Sequence, residues 1–291
     1  MSGSWVPGGP PGGIAPGLHL VATPIGTARD ITLRGLDVLA GAEVLMAEDT
    51  RTLRHLMEIH GIALDRRPLI ACHDHNETEV AARMVAALEA GKSVAYASEA
   101  GTPLVSDPGF ALVRAAVAAG QRVHAVPGPS AVLAALTLAG LPTDRFLFAG
   151  FVPTAAGDRA RVLAELAAVP ATLVVYESPR RVARTLAEMA QAFGPDRPAA
   201  MCRELTKRHE EVRRGTLGEL ADALQGQEPK GEIVLVVDRA AARVTSAEDL
   251  RTALENALQT MSVKDAVAFV SQDLGVPRKE AYRLALELAE Q

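Results

Sequence analysis

Four short polar runs gather residues that could bear charge or transfer a proton. Glu48-Asp49-Thr50-Arg51, His73-Asp74-His75-Asn76-Glu77, Tyr176-Glu177-Ser178 and Glu204-Leu205-Thr206-Lys207 each set a carboxylate beside a hydroxyl, an imidazole or a cation. A carboxylate in such company can take a proton or cap a helix, and residue type alone leaves both open. The His73, Asp74, His75 run has metal-ligand chemistry. Adjacent loop residues point in different directions, however, and no further Cys or His cluster completes a site, so no metal centre is expected.

Glycine and proline gather in three other places: Ala22-Thr23-Pro24-Ile25-Gly26, Ser98-Glu99-Ala100-Gly101-Thr102-Pro103 and Pro127-Gly128-Pro129-Ser130. Gly101 and Gly128 allow positive φ and close approach of backbone to a ligand, and Ser130 heads a helix whose free N–H groups can hold a carboxylate. Loops of this kind are also rich in Gly and Pro for purely structural reasons. Three of them converging still point to one bound cofactor, with Pro24 and Gly26 among its contacts. The first run lacks the G-x-G-x-x-G dinucleotide fingerprint, and neither a G-x-x-x-x-G-K-[ST] loop nor a G-x-S-x-G elbow occurs, which argues against P-loop hydrolysis and nucleophile-elbow chemistry.

The elements that must position these runs alternate regularly. Short apolar stretches predict strands over 18–22, 43–47, 69–72, 93–97 and 123–126, and 3.6-residue periodicity predicts helices over 32–39, 50–60, 78–90 and 110–119. Such βαβ alternation implies a largely parallel sheet with a ligand at the carboxyl ends of its strands, where all three glycine loops fall. Pro127-Gly128-Pro129 marks a boundary before a helix over 130–139. A second α/β unit follows, with strands over 146–150, 172–177, 199–204, 211–215 and 233–238 and helices over 158–168, 179–193 and 217–224. The strands over 199–215 have no helix between them, so this sheet is expected to be mixed. Ser246 and Ser262 precede Asp249 and Asp265 by three positions, as helix starts do, and three short helices over 247–260, 263–274 and 277–289 result. Leu250, Leu254, Leu258 and Met261, then Ala266, Val267 and Val270, then Ala281, Leu284 and Leu288 mark their apolar faces. The last two helices have helix-turn-helix proportions, shared by many small bundles. The expected division is a disordered tail over 1–17, α/β domains over 18–128 and 129–240, and a helical domain over 246–291.

At 291 residues the chain is long enough for two cores. Its formal charge of −5 counts against a protein that coats nucleic acid indiscriminately, without excluding a local basic surface. The two cysteines, Cys72 and Cys202, lack paired spacing and read as buried thiols in a reducing compartment. The Gly/Pro-rich start resembles no signal peptide, and no stretch reaches the roughly 18 apolar residues of a membrane span. A soluble, cytoplasmic protein is expected.

The runs Val21-Ala22-Thr23-Pro24-Ile25-Gly26, Asp30-Ile31-Thr32-Leu33-Arg34, Ala47-Glu48-Asp49-Thr50-Arg51 and His73-Asp74-His75-Asn76-Glu77 together resemble the signature of the RsmI family, within the tetrapyrrole-methylase fold. So do Ser98 to Pro103 with Ser106-Asp107-Pro108-Gly109, Pro127-Gly128-Pro129-Ser130-Ala131, Gly140-Leu141-Pro142-Thr143-Asp144-Arg145-Phe146, Tyr176-Glu177-Ser178-Pro179 and Arg203-Glu204-Leu205-Thr206-Lys207. These run in order from about residue 18 to 238, and the helical tail also suits the family. The resemblance implies two α/β domains with S-adenosylmethionine in the cleft between them, a homodimer, and 2′-O-methylation of a cytidine in the decoding region of 16S ribosomal RNA. It implies cofactor contacts from Glu99, Ala100, Gly101, Thr102 and Pro103, from Ser106, Ser130 and Ala131, and from Tyr176 and Leu205. Two positions depart from the pattern: Glu99 stands where the family commonly has Asp, and Arg180 where it commonly has His.

Methyl transfer from a sulfonium releases a neutral thioether, so the enzyme must chiefly align the ribose oxygen at about 3 Å, exclude water and accept the hydroxyl proton. Asp49, Asp74, Glu177 and Glu204 are the candidate bases, and Lys207 and Arg51 could stabilise an alkoxide or hold phosphate. RNA must also meet positive charge. Arg180, Arg181 and Arg184 start one helix, while Lys207, Arg208, Arg213 and Arg214 flank a hairpin; a phosphate-tracking groove and an ordinary solvated face both fit. Two rival functions stay open: a methylase of tetrapyrrole macrocycles on the same fold, and a non-catalytic RNA-binding or ribosome-assembly protein.

Overall fold

The computed structural model describes residues 13–73, 76–240, 247–274 and 276–289. Most of the expected tail, Asp74 with His75, and the Ser246 cap lie outside the described residues.

The first half forms β1 (Gly17–Val21), β2 (Val44–Ala47), β3 (Leu69–Ala71), β4 (Ser93–Ala97) and β5 (Val123–Val126), linked by α1 (Leu33–Gly41), α2 (Thr50–Ile59), α3 (Glu77–Glu89) and α4 (Phe110–Ala118). All strands pair in parallel in the order β3-β2-β4-β1-β5. Parallel sheets need both faces covered. Leu45 and Ala47 of β2 face the core under α1 and α2, while the alternate Val44 and Met46 face α3 and α4. The first two crossovers therefore lie on one face and the last two on the other. The neighbouring strands β1 and β4 send their following loops to opposite faces, which opens a crevice at their carboxyl ends.

The second half contains α5 (Ala131–Ala139), β6 (Phe146–Phe151), α6 (Ala156–Ala167), β7 (Thr172–Glu177), α7 (Val182–Phe193), β8 (Pro198–Arg203), β9 (Glu211–Thr216), α8 (Leu217–Leu224) and β10 (Ile233–Val237). Its sheet has the order β6-β7-β10-β8-β9, with only β6 and β7 parallel. Leu163, Leu186, Met189 and Leu220 of α6, α7 and α8 bury one face. Val132, Ala135, Leu136 and Ala139 of α5 bury the other against Val174, Ala200, Val234 and Val236. Helix α7 starts at Val182, three residues later than periodicity suggested. The carbonyl of Ser178 accepts the N–H groups of both Arg181 and Val182, so the residues after β7 form a turn that feeds the helix.

Helices α9 (Ala247–Leu258), α10 (Val263–Leu274) and α11 (Arg278–Ala289) share a separate core of Leu250, Leu254, Ala266, Val270, Ala281 and Ala285. Met261 is exposed instead, because α9 has already ended and the turn carries it off the stripe. Ser262 caps α10, accepting the Asp265 N–H at 3.3 Å and donating to its carboxylate at 2.6 Å. Among the described residues no helix is long and apolar enough to cross a membrane.

Candidate active site

Backbone bonds tie together the three loops at the carboxyl edge of the first sheet. Thr23 and Gly101 exchange N–H···O bonds of 2.9 and 3.0 Å as an isolated bridge between the ends of β1 and β4. The Ser98 hydroxyl donates to Gly101 O at 2.9 Å, and that of Thr102 to Pro129 O at 2.9 Å, which adds the loop after β5. Gly101 sits at φ +81°, a conformation that disfavours any side chain. A Cβ there would meet Ile25 at 3.3 Å, inside the loop junction. Gly128 does not have the expected positive φ. Its requirement is space, since a Cβ would sit 3.0 Å from that of Ala22.

These loops face the second sheet across a cleft of about 500 Å³, within the usual range for small-molecule sites. The first half contributes Ile25, Glu48, Glu99, Ala100, Gly101, Thr102, Val105, Ser106 and Asp107, and the start of α5 adds Ser130 and Ala131. The second contributes Phe151, Tyr176, Glu177, Ser178, Pro179, and Gly231 to Val234. Leu104 at φ +72° and Ser106 at φ +63° hold left-handed backbone without glycine, at a cost of about 1–3 kcal/mol each. Tyr176 packs edge-on to Phe148 and Phe151, and burial pushes its phenol up to about 12. The Ser130 side chain makes no capping bond to α5, whose first turn starts at the cleft wall, where the backbone N–H of Val132 reaches the Tyr176 hydroxyl.

Four of the expected cofactor contacts do not line the cleft. Gly26 lies against the loop 205–207 of the second half, where a Cβ would come within 2.5 Å of Lys207 Cγ. Pro24 shares that loop, Pro103 is buried, and Leu205 is only 5% exposed in the core with Ile25. They shape the site from behind. Thr27 reinforces this junction, donating its N–H to the Thr206 hydroxyl oxygen and its own hydroxyl to Thr206 O.

The candidate bases are mostly engaged elsewhere. Asp49 caps α2, accepting the Arg51 N–H at 2.7 Å and its guanidinium at 2.8 Å, which hold the carboxyl down to about 2. Asp49 turns away because consecutive residues alternate at a strand end, leaving Glu48 at the cleft. Glu177 is in the cleft wall but both oxygens are occupied: Ser178 N–H and Arg181 Nε reach one at 2.6 and 2.7 Å, and the Thr185 hydroxyl reaches the other at 2.7 Å. Glu204 accepts the Glu232 N–H and the Lys207 ammonium at 3.0 Å each, and these bonds lower its pKa. Lys207 also binds Glu232 at 2.7 Å. Burial alone would lower the lysine, but the two carboxylates outweigh it and keep the ammonium charged. Neither Glu204 nor Lys207 lines the cleft, although their shared partner Glu232 does. Asp74 lies outside the described residues.

The expected RNA-facing cations divide similarly. Arg181 is held by Glu177 and by Val152 O, so it belongs to the interior of the wall. Arg180 is exposed with a loose 3.5 Å contact to Glu228, and Arg51, Arg184 and Arg208 are exposed. Arg213 and Arg203 both bind Glu211, and Arg214 donates to Leu138 O.

Glu48 and Asp107 stand in the runs singled out above but were not among the candidate site residues, and Phe151 and the segment 231–234 were not singled out at all. Glu48 accepts the Glu99 N–H at 3.2 Å. Segment 231–234 reaches the cleft because β10 runs antiparallel to β7, pairing Ile233 with Glu177, so its amino end lies at the carboxyl end of β7.

The family model for tetrapyrrole (corrin/porphyrin) methylases matches residues 17–221, and that for the RsmI C-terminal HTH domain matches residues 244–289. A ribosomal RNA small subunit methyltransferase I of Mesorhizobium japonicum is 49% identical over 94% of this chain and 93% of its own length. The protein of that name from Pseudomonas aeruginosa is 43% identical over 93% of this chain and 96% of its own. Among solved structures, the methyltransferase CobJ superposes with a TM-score of 0.59 at 21% identity, covering 78% of this chain and 95% of CobJ. A uroporphyrin-III C-methyltransferase from Thermus thermophilus, solved with S-adenosyl homocysteine, gives 0.51 at 21% identity, covering 75% and 96%. At that identity the likeness is one of fold. A doubly wound first sheet, a mixed second sheet, a cleft between them and a matching helical tail agree with the sequence relationship: the chain belongs to the tetrapyrrole methylase family and, within it, to the RsmI family of ribosomal RNA small subunit methyltransferases.

Proposed function

We propose that this protein transfers a methyl group from S-adenosylmethionine to the ribose 2′-hydroxyl of a cytidine in the decoding region of 16S ribosomal RNA, acting as a homodimer. The cleft carries this reading. Its wall combines apolar Ile25, Val105, Phe151 and Ile233 with the carboxylates Glu48, Glu99, Asp107 and Glu232, a combination that suits a large, partly apolar ligand bearing positive charge. The names of the relatives and the order of the motifs support the RNA substrate.

The residues present fit the cofactor. The α5 start at Ser130 and Ala131 would hold its carboxylate, and the loop 99–102 with Tyr176 would surround the remainder. When bound, the cofactor supplies an electrophilic methyl carbon and a neutral leaving group. The chain's own task is to align the hydroxyl, keep water out and receive one proton. Glu48 is the residue we assign to that proton: it faces the cleft, and no described cation pairs with it. The expected measurement is label from radioactive S-adenosylmethionine in 30S subunits, mapped to a single 2′-O-methylcytidine and reduced at least a hundredfold by Glu48→Gln, in the usual range for loss of a general base. Label entering a porphyrinogen and not the subunits would overturn the reading.

A further inference from the structure

Around the cleft, Arg181, Arg203, Lys207 and Arg213 are spent on partners within the protein, while Arg180, Arg184 and Arg208 are exposed without an aromatic side chain on the same stripe. Helix α11 differs. It buries Ala281 and Ala285 completely in the helical core, and Leu284 and Leu288 pack partly against it. The opposite stripe, spaced at three, four and seven residues, consists of Lys279, Tyr282, Arg283 and Leu286. All four are exposed, Tyr282 by 49% and Leu286 by 42%. Neither Lys279 nor Arg283 has an ion-pair partner among the described residues.

We propose that this outer stripe of α11 is a docking surface for ribosomal RNA, in which Lys279 and Arg283 bind phosphates and Tyr282 stacks on an unpaired base. The proposal rests on the reading of the protein as an RNA methyltransferase and adds a contact outside its cleft. Charge selects the occupant. The helical core is already closed by the inner face, so the stripe is not required for folding the three helices. A protein partner or a second copy would favour a continuous apolar surface, whereas two unpaired cations flanking one ring match a polyanion with a splayed base. Because the chain as a whole is acidic, such a local stripe is also where a polyanion is best tolerated.

The test uses the full chain and a fluorescein-labelled in vitro transcript of small-subunit ribosomal RNA, with anisotropy titrations between about 50 and 200 mM KCl. The double variant Lys279→Ala/Arg283→Ala should bind more weakly and reduce the slope of log affinity against log salt by about 1.5. Tyr282→Ala should weaken binding roughly tenfold with the slope unchanged, and Tyr282→Phe should restore it. Calorimetric affinity for S-adenosylmethionine should stay as in the parent, and circular dichroism should show the same helix content. RNA affinity and salt slope equal to the parent in both variants would overturn the proposal. So would unchanged RNA binding with a shift in sedimentation, which would mean that a second copy covers the stripe. RNA binding is read without turnover, so loss of methyl transfer alone would count against the proposed reaction and leave this surface standing.

Discussion

The two walls of the cleft are shaped by different means. On the first-sheet side the backbone does the shaping: a two-residue bridge between Thr23 and Gly101, and left-handed turns at Gly101, Leu104 and Ser106. On the second-sheet side, side chains lock one another, with Glu177 bound to Arg181 and Thr185, and Lys207 bound to Glu204 and Glu232. A wall of backbone tolerates changes of charge but few changes of conformation. A wall of locked ion pairs behaves the other way round where a pair is buried, as Glu177 with Arg181 is, because removing one partner leaves the other charged and poorly hydrated.

The largest expected effect therefore falls on the second wall. Glu177→Gln should lower unfolding free energy by about 3–5 kcal/mol in urea titrations, since Arg181 would keep its charge without a counter-ion. A loss below about 1 kcal/mol would show that water already compensates the pair. Next comes the first wall, where Gly101→Val should cost about 2 kcal/mol through strain at positive φ and abolish S-adenosylmethionine binding in calorimetry. Full affinity in a folded variant would break the distinction between the walls. Lys207→Met should cost about 1 kcal/mol, a modest figure because the pair is partly exposed. Glu204 has a lowered pKa, so its contribution is present above the ordinary carboxylate range and is lost as pH falls through the lowered value; this variant should move that loss to higher pH. The smallest effect sits outside both walls. The carboxyl of Asp49 should titrate near 2 by NMR, so the cap on α2 is retained above the ordinary value and released only as pH falls through about 2.

Much of the first wall was legible in the sequence, because glycine and proline advertise unusual backbone and βα periodicity tells which strand end they follow. Ala22 to Gly26 and Ser98 to Pro103 were visible in this way. Even so, Gly128 was misread, since close packing on Ala22 and positive φ both select glycine and the residue alone does not separate them. The second wall was harder to read. Glu177 and Glu204 look like proton acceptors in a linear sequence, and only the fold brings Thr185 and Glu232 to their oxygens. Glu48 and Asp49 are adjacent carboxylates, and strand alternation decides between them by a register that composition does not contain. Segment 231–234 escaped notice because a rule about carboxyl ends of parallel strands does not look at the amino end of an antiparallel one.

The contact of Thr27 with Thr206 joins positions 179 residues apart. Closing so long a loop is entropically costly and slow, and on a chain synthesised from its amino end it must wait until residue 206 has emerged. The first sheet pairs only strands within residues 17–126, so it can form while the second is still being made. The second wall of the cleft, by contrast, is complete only when β10 is in place beside β7 and brings in residues 231–234. During synthesis the nascent chain thus passes through a stage with a complete parallel sheet and an unfinished cleft, whose last lining segment arrives only with β10.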